Sequence, residues 1–136
     1  MKPATNAPLG KDVIALAGLF LTSGTMHLVR PQPFESIVPQ RLPSRRALVY
    51  ASGAAEIACA VGLFIPRTRR VAGIASAALL VAVFPANVTM TGQAKRRLDR
   101  NPSDPRRQRY LAATVARLPL QWPMIRTALR AGGVMR

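Results

Sequence analysis

Five strongly polar side chains stand within otherwise apolar stretches of this sequence: His27, Glu56, Asn87, Arg117 and Gln121. Polar and ionisable groups are costly to place in hydrocarbon, so such residues usually face the inside of a helix bundle and find polar partners there. Histidine exchanges a proton near neutral pH, and arginine and amide side chains hold carbonyl oxygens. We therefore predict that these residues form a ligand-binding or proton-handling pocket, with no catalytic residue assigned.

Long apolar segments position these side chains. The stretches Val13 to Val29 and Val71 to Ala94 contain no Asp, Glu, Lys or Arg, and a third, Ala47 to Ile65, contains only Glu56. An α-helix rises ~1.5 Å per residue, so each stretch is long enough to cross most of a ~30 Å hydrocarbon core. These three segments predict transmembrane helices.

A fourth segment, Tyr110 to Leu129, is less apolar because it holds Arg117, Arg126 and two prolines. It predicts a fourth span, with a helix lying in the membrane interface as the alternative. The spans of about 12–29, 47–65, 70–92 and 109–130 make a single transmembrane domain over residues 1–136. The predicted fold class is all-α, an integral membrane four-helix up-down bundle.

The composition is both hydrophobic and basic. Of the 136 residues 49% are hydrophobic, and 20 Lys and Arg against 5 Asp and Glu give a formal net charge of +15. Aromatic residues make up only 5%, too few for the stacking surface of a single-strand-binding protein. We therefore predict no nucleic-acid partner. The lipid bilayer is the expected partner, with the basic third connection, Lys95 to Arg109, near anionic headgroups.

Prolines interrupt the helical pattern at three places. Residues 30–43 contain four prolines, which exclude a continuous helix, and several apolar residues that suit a lid over the mouth of the bundle. Residues 101–105 have the sequence Asn-Pro-Ser-Asp-Pro, which predicts a polar, mobile loop. Pro85 leaves the Val81 carbonyl without its helical donor, so that acceptor needs a polar partner, with Asn87 nearby.

Up-down threading places His27, Glu56, Asn87 and Arg117 in the same half of the bilayer, beneath the proline-rich residues 30–43. The expected contact is an ion pair between Glu56 and Arg117, since mutual neutralisation removes most of the cost of both charges. Such a pair fits either a structural role or a ligand or proton site. His27 likewise fits either a hydrogen-bonded interfacial residue or a proton-transfer residue.

The sequence contains one histidine and one cysteine. It holds no Cys-x-x-Cys, no haem-attachment motif and no pair of metal ligands at a recognised spacing. We therefore predict no metal site and no cofactor bound by the chain alone. Cys59, within an apolar helix, is interpreted as a small packing residue.

Several short motifs follow one another along residues 13–130. They are Gly24-x-x-His27, Pro33-Phe34-x-x-Ile37-Val38-Pro39, Leu48-Val49-Tyr50-x-Ser52-Gly53-x-x-Glu56, Pro66-Arg67-Thr68-Arg69, Phe84-Pro85-Ala86-Asn87-x-x-Met90 and Arg117-Leu118-Pro119-Leu120-Gln121. Together they resemble the DoxX family of small bacterial membrane proteins. The resemblance implies a multi-pass protein of the bacterial cytoplasmic (inner) membrane. Some relatives are named as subunits of quinone-linked or thiol-linked oxidoreductase complexes.

Two functions are expected from the resemblance and the polar residues together. In the first, the chain is a membrane subunit of a redox-linked complex that binds a quinone, with His27 and Glu56 handling protons and Arg117 or Asn87 holding carbonyl oxygens. Its electron donor is then a soluble redox partner subunit, and whether the chain is itself an enzyme stays open. In the second, the chain is a non-catalytic membrane scaffold or small-solute carrier. A homo-oligomer is compatible with both.

Overall fold

The computed structural model describes residues 8–136, and every regular element in that range is an α-helix. Helix α1 spans Lys11–Val29, α2 is the short Gln32–Glu35, α3 spans Arg45–Phe64, α4 spans Arg69–Asp99 and α5 spans Pro105–Ala131. The predicted all-α class is confirmed for this part of the chain. The predicted single domain also includes residues 1–7, which lie outside the described residues.

Three of the helices, α1, α3 and α4, are long and apolar enough to cross a membrane. The prediction of membrane-compatible helices is confirmed for these three. Helix α5 has sufficient length but does not meet the same standard of hydropathy, because arginines occur along its whole length. Large apolar side chains also stay exposed on the helices, with Val71 70% and Trp122 60% exposed.

The loop predicted at residues 101–105 corresponds to a short non-helical turn in the third connection. Helix α4 ends at Asp99 and α5 begins at Pro105, so only residues 100–104 are non-helical. Lys95 Nζ lies 3.0 Å from the Asp99 carboxylate one turn further on. The Asp104 side chain accepts a hydrogen bond of 2.9 Å from the Arg106 amide and caps α5. These local interactions extend helix on both sides of the turn, and the prolines alone do not reveal them.

The long helices pack as two close pairs, α1 with α3 and α4 with α5. Helix α3 also packs against α4, to which a short turn joins it, and α1 makes a smaller contact with α5. The buried apolar core draws on all four helices. Its members include Leu16, Ala17, Phe20, Ala60, Leu63, Leu80 and Ala128. The core therefore joins the two helix pairs.

Glycines allow α1 and α3 to touch through their backbones. A Cβ atom added to Gly24 would lie 2.6 Å from the carbonyl oxygen of Gly53, and one added to Gly53 would lie 2.7 Å from the Cβ of His27. Side chains do not fit at such distances. Because the helices approach so closely here, His27 of α1 comes to lie beside Glu56 of α3.

This contact predicts opposite effects for two identical substitutions on α1. Gly24→Ala should lower the free energy of unfolding by about 1–3 kcal/mol, because α1 must move away from α3. Gly18→Ala is the matched control, since a Cβ there meets no atom within 4 Å. It should leave stability unchanged or raise it by up to ~1 kcal/mol, as alanine favours helix over glycine. Unfolding of the detergent-solubilised variants measures both, and equal midpoints would contradict the close contact.

Candidate functional site

A cavity of about 300 Å³ lies among the helices beneath the proline-rich residues 30–43, which we call the lid loop. Helices α3 and α4 provide most of its wall, and α1 and α5 contribute polar side chains. The lid loop covers it with apolar side chains, namely Phe34, Ile37, Val38, Pro39 and Leu42. The cavity is thus mainly apolar, with its polar groups confined to a few residues.

Four of the five predicted site residues line this cavity: His27, Glu56, Asn87 and Arg117. Gln121 lines a smaller adjoining cavity of about 30 Å³, and Glu56, Asn87 and Arg117 border both spaces. The structure therefore brings the five residues into one polar region, on the side of the helices that carries the lid loop. That this region binds a ligand or handles protons stays a prediction.

Glu56 is buried, with 6% of its surface exposed, and the basic side chain within 4 Å of its carboxylate is His27. His27 Nδ1 lies 3.7 Å from Glu56 Oε2 and 2.6 Å from the backbone carbonyl oxygen of Ser23. A carbonyl can only accept, so Nδ1 carries a hydrogen and donates it there. Within the described residues Glu56 Oε2 has no hydrogen-bond partner. A buried carboxylate oxygen in this state requires an explanation.

The expected ion pair between Glu56 and Arg117 is wrong. Both side chains border the same cavity, but among residues 8–136 the basic side chain within 4 Å of the Glu56 carboxylate is His27. The reason lies in the packing, since glycines draw α1 onto α3 whereas α5, which carries Arg117, packs chiefly on α4. Arg117 is exposed on α5 and makes no hydrogen bond within the described range, so its N–H donors can bind water or a ligand.

Asn87 and Gln121 join α4 to α5 through a buried hydrogen-bonded chain. Asn87 Nδ2 donates to Gln121 Oε1 over 3.0 Å, and Gln121 Nε2 donates in turn to the Leu80 carbonyl oxygen. Pro85 deprives the Val81 carbonyl of its helical donor, so a polar partner is expected there. The observed donor, Gln121 Nε2, instead binds the neighbouring carbonyl oxygen of Leu80. Gln121 therefore has a structural role next to the site.

The lid loop is held in place by contacts to three helices. The Phe34 ring stacks on the His27 ring of α1, with 3.9 Å between the centroids and 19° between the planes. Glu35 forms a 2.6 Å ion pair with Arg46 of α3. Gln93 Nε2 of α4 donates to a backbone carbonyl of the loop over 2.6 Å. The loop thus covers the cavity and packs directly against one of its polar residues.

Ser23 borders both cavities and was not predicted from the sequence. Its carbonyl oxygen accepts from His27 Nδ1 over 2.6 Å, and its hydroxyl lies 3.4 Å from the same nitrogen, so Ser23 orients the imidazole. The signal that would have found Ser23 is its spacing, because residues four apart share one face of a helix and Ser23 precedes His27 by that interval. Serine in an apolar helix is otherwise unremarkable, since its hydroxyl can bond to its own backbone.

Metal ligands and thiols do not add to this site in the described part of the chain. No cluster of three or more His, Cys, Asp or Glu side chains suited to a metal ion occurs there. Cys59 is unpaired and buried among the apolar core side chains. Its position agrees with a packing role.

The fold and site define a helical protein that has three membrane-compatible helices and a mainly apolar cavity bordered by a few polar side chains. Residues 16–132 match the family described as "Domain of unknown function (DUF8561)", and the chain belongs to that family. The matched range includes all five polar residues. No curated protein matches the chain, and no solved structure matches it. The resemblance to the DoxX family stays a prediction.

The buried amide chain predicts a coupled loss of stability. Gln121→Met keeps the side-chain length but leaves Asn87 Nδ2 without its acceptor, at a cost of about 1–3 kcal/mol for a buried polar group. After Asn87→Ala, the same Gln121→Met change should cost less, with a coupling energy of roughly 0.5–3 kcal/mol in a double-mutant cycle. Unfolding in detergent measures the cycle, and strictly additive losses would mean that the two amides act independently.

Proposed function

We propose that the protein is an integral membrane four-helix up-down bundle that binds a quinone-class ligand in the cavity, as a membrane subunit of a redox-linked complex. The observation that carries the proposal is the unpartnered Glu56 Oε2, buried at the wall of a mainly apolar cavity. An unsatisfied buried acceptor costs about 1–3 kcal/mol, and more when charged. A ligand hydroxyl or an added proton removes that cost.

The surface of the helices supports insertion in a membrane. Apolar side chains such as Val71 and Trp122 are largely exposed, and exposed apolar area of this extent suits contact with lipid. Helix α4, with 31 residues, exceeds the ~20 needed to cross the hydrocarbon core. Its C-terminal turns carry basic side chains, including Arg96 and Arg97, that suit anionic headgroups.

The chemistry of the cavity supports a ligand with oxygens on an apolar ring. At about 300 Å³ the cavity is at the small end of ligand pockets, which suits a single-ring head group. Arg117 offers donors for a carbonyl oxygen, and Glu56 offers an acceptor for a hydroxyl hydrogen. Quinones and quinols present these two groups in their oxidised and reduced forms. His27 Nδ1 lies 3.7 Å from Glu56 Oε2, which places a second group able to carry a proton beside the carboxylate.

In this proposal the chain supplies binding and proton handling, and a soluble partner subunit supplies the electrons. Glu56 and His27 carry the protons in this scheme, at the wall of a mainly apolar cavity in which electrostatic interactions are stronger than in water. Arg117 favours oxygen atoms that carry negative charge. The alternative, a scaffold or small-solute carrier, assigns the same polar residues to stabilising the bundle.

Ligand extraction and binding distinguish these functions. Protein purified in mild detergent should release a quinone detectable by mass spectrometry, and decyl-1,4-benzoquinone at ~100 times its Kd should stabilise the protein by about 2.7 kcal/mol. Arg117→Gln should weaken binding about tenfold, the value of one lost hydrogen bond. Arg126→Gln is the matched control, because Arg126 lies on the same helix away from both cavities. No extracted quinone and no stabilisation would favour the scaffold.

The topology can be tested separately with single cysteines in a Cys59→Ala background. An impermeant thiol reagent should label Ser44→Cys and Ser103→Cys from one side of the membrane, because α3 and α4 both cross. Arg67→Cys should label from the opposite side. Met135→Cys should share the side of Arg67→Cys if α5 crosses as well. Labelling of Met135→Cys together with Ser103→Cys would instead mean that α5 lies in the interface.

A further inference from the structure

We propose that the cavity takes an amphiphile whose head lies between Glu56 and Arg117 and whose hydrocarbon chain leaves the protein sideways, through an opening between α3 and α4. This inference rests on the ligand site proposed above, and adds to it the shape of the ligand and its route from the lipid. Four observations support it: the closure of one end of the helix pair, the place of the cavity, the exposed rim and the covered mouth.

Helices α3 and α4 are tightly packed at the turn that connects them. A Cβ added to Gly62 would lie 2.7 Å from the Cβ of Ala72, so the two backbones are close there. The Thr68 hydroxyl donates to the Gly62 carbonyl over 3.0 Å and fixes the turn. No ligand chain can pass between the helices at this end.

The cavity occupies the other end of the same helix pair. Its residues from α3 belong to the first part of that helix, from Leu48 to Glu56, and its residues from α4 belong to the range Leu79 to Met90. The helices run in opposite directions, so these two ranges lie side by side. The space between α3 and α4 thus opens with distance from the connecting turn.

Part of the cavity wall is also outer surface. Leu48 of α3 is 40% exposed although it lines the cavity. Ala82 and Pro85 of α4 are also exposed while lining it. These rim residues are apolar, and the two on α4 are compact. The opening between them therefore faces the side of the helices, where hydrocarbon would lie, and its chemistry suits an acyl or prenyl chain.

The end of the cavity that faces the first connection is covered. The lid loop lies across it, with Phe34 stacked on His27 and with Glu35 paired to Arg46. Glu56, which is buried, and Arg117, which is exposed on α5, border the smaller adjoining cavity as well, so the polar head lies where the two cavities meet. A head held there and a chain longer than the cavity can accommodate leave the side opening as the way out.

Two matched substitutions on α4 test the route. Ala82→Trp places a bulky side chain at the rim, and Ala75→Trp places the same side chain two helical turns away, on the same exposed face but outside the cavity. The probes are decyl-1,4-benzoquinone and methyl-1,4-benzoquinone, which share the head and differ in the chain. Dissociation constants are measured in lipid nanodiscs, and unfolding midpoints without probe verify that each variant folds.

Ala82→Trp should raise the Kd of the decyl probe at least tenfold while changing that of the methyl probe less than threefold, and Ala75→Trp should change neither. Wild-type affinity of Ala82→Trp for both probes would overturn the side opening while leaving the ligand site intact. Equal weakening of both probes would also overturn it, because the tryptophan would then obstruct the head site. Failure of both probes to bind the wild-type protein would overturn the ligand site itself.

Discussion

The backbone contact between Gly24 and Gly53 is the constraint on which the site depends. It draws α1 onto α3 and sets His27 beside Glu56. It also leaves α5 to pack mainly on α4, which separates Arg117 from the carboxylate that it would otherwise neutralise. Helices α3 and α4 approach closely at the turn that connects them, and the cavity lies towards their other ends.

The separation of charges has a consequence for binding. A direct ion pair between Glu56 and Arg117 would satisfy both groups and leave little capacity for a ligand. In the observed arrangement the carboxylate oxygen and the guanidinium both retain hydrogen-bonding capacity at the same cavity. Local departures from complete polar satisfaction are typical of functional sites and are offset by stability elsewhere. Here the apolar core and the buried bond between Asn87 and Gln121 supply that stability.

Hydropathy predicted the long helices well, because the length and composition of an apolar segment are enough to identify a helix that suits an apolar environment. The segments assigned to α1, α3 and α4 correspond to observed helices, and the proline-rich loop covers the polar residues. Counting residues from the helix ends predicted that the polar residues lie near the lid loop, and four of them line the cavity beneath it. Rotation about the helix axis and the choice of neighbour were not predictable in the same way, since they depend on small residues such as Gly24 and Gly53.

The partner of Glu56 shows this limit clearly. Charge alone favoured Arg117, because arginine is a stronger and permanent cation than histidine. The close packing of α1 on α3 instead places His27 next to Glu56, which an argument from charge alone does not predict. In the third connection the prolines indicated a loop, and residues 100–104 form one. The cap at Asp104 and the pair of Lys95 with Asp99, which sustain helix on both sides of that loop, were not predicted. Specific contacts thus determine both the helix ends and the partner of Glu56.

The lid loop contacts the polar residues of the cavity through one side chain. Phe34 stacks on His27, so movement of the loop also changes the environment of the imidazole. The Nδ1 hydrogen is held by the Ser23 carbonyl, which leaves Nε2 as the nitrogen able to take up a proton. In the proposed function, a proton reaching Glu56 from water therefore passes His27 under the loop, whereas the ligand enters from lipid. Separate routes for proton and ligand allow the cavity to stay dry while it exchanges both.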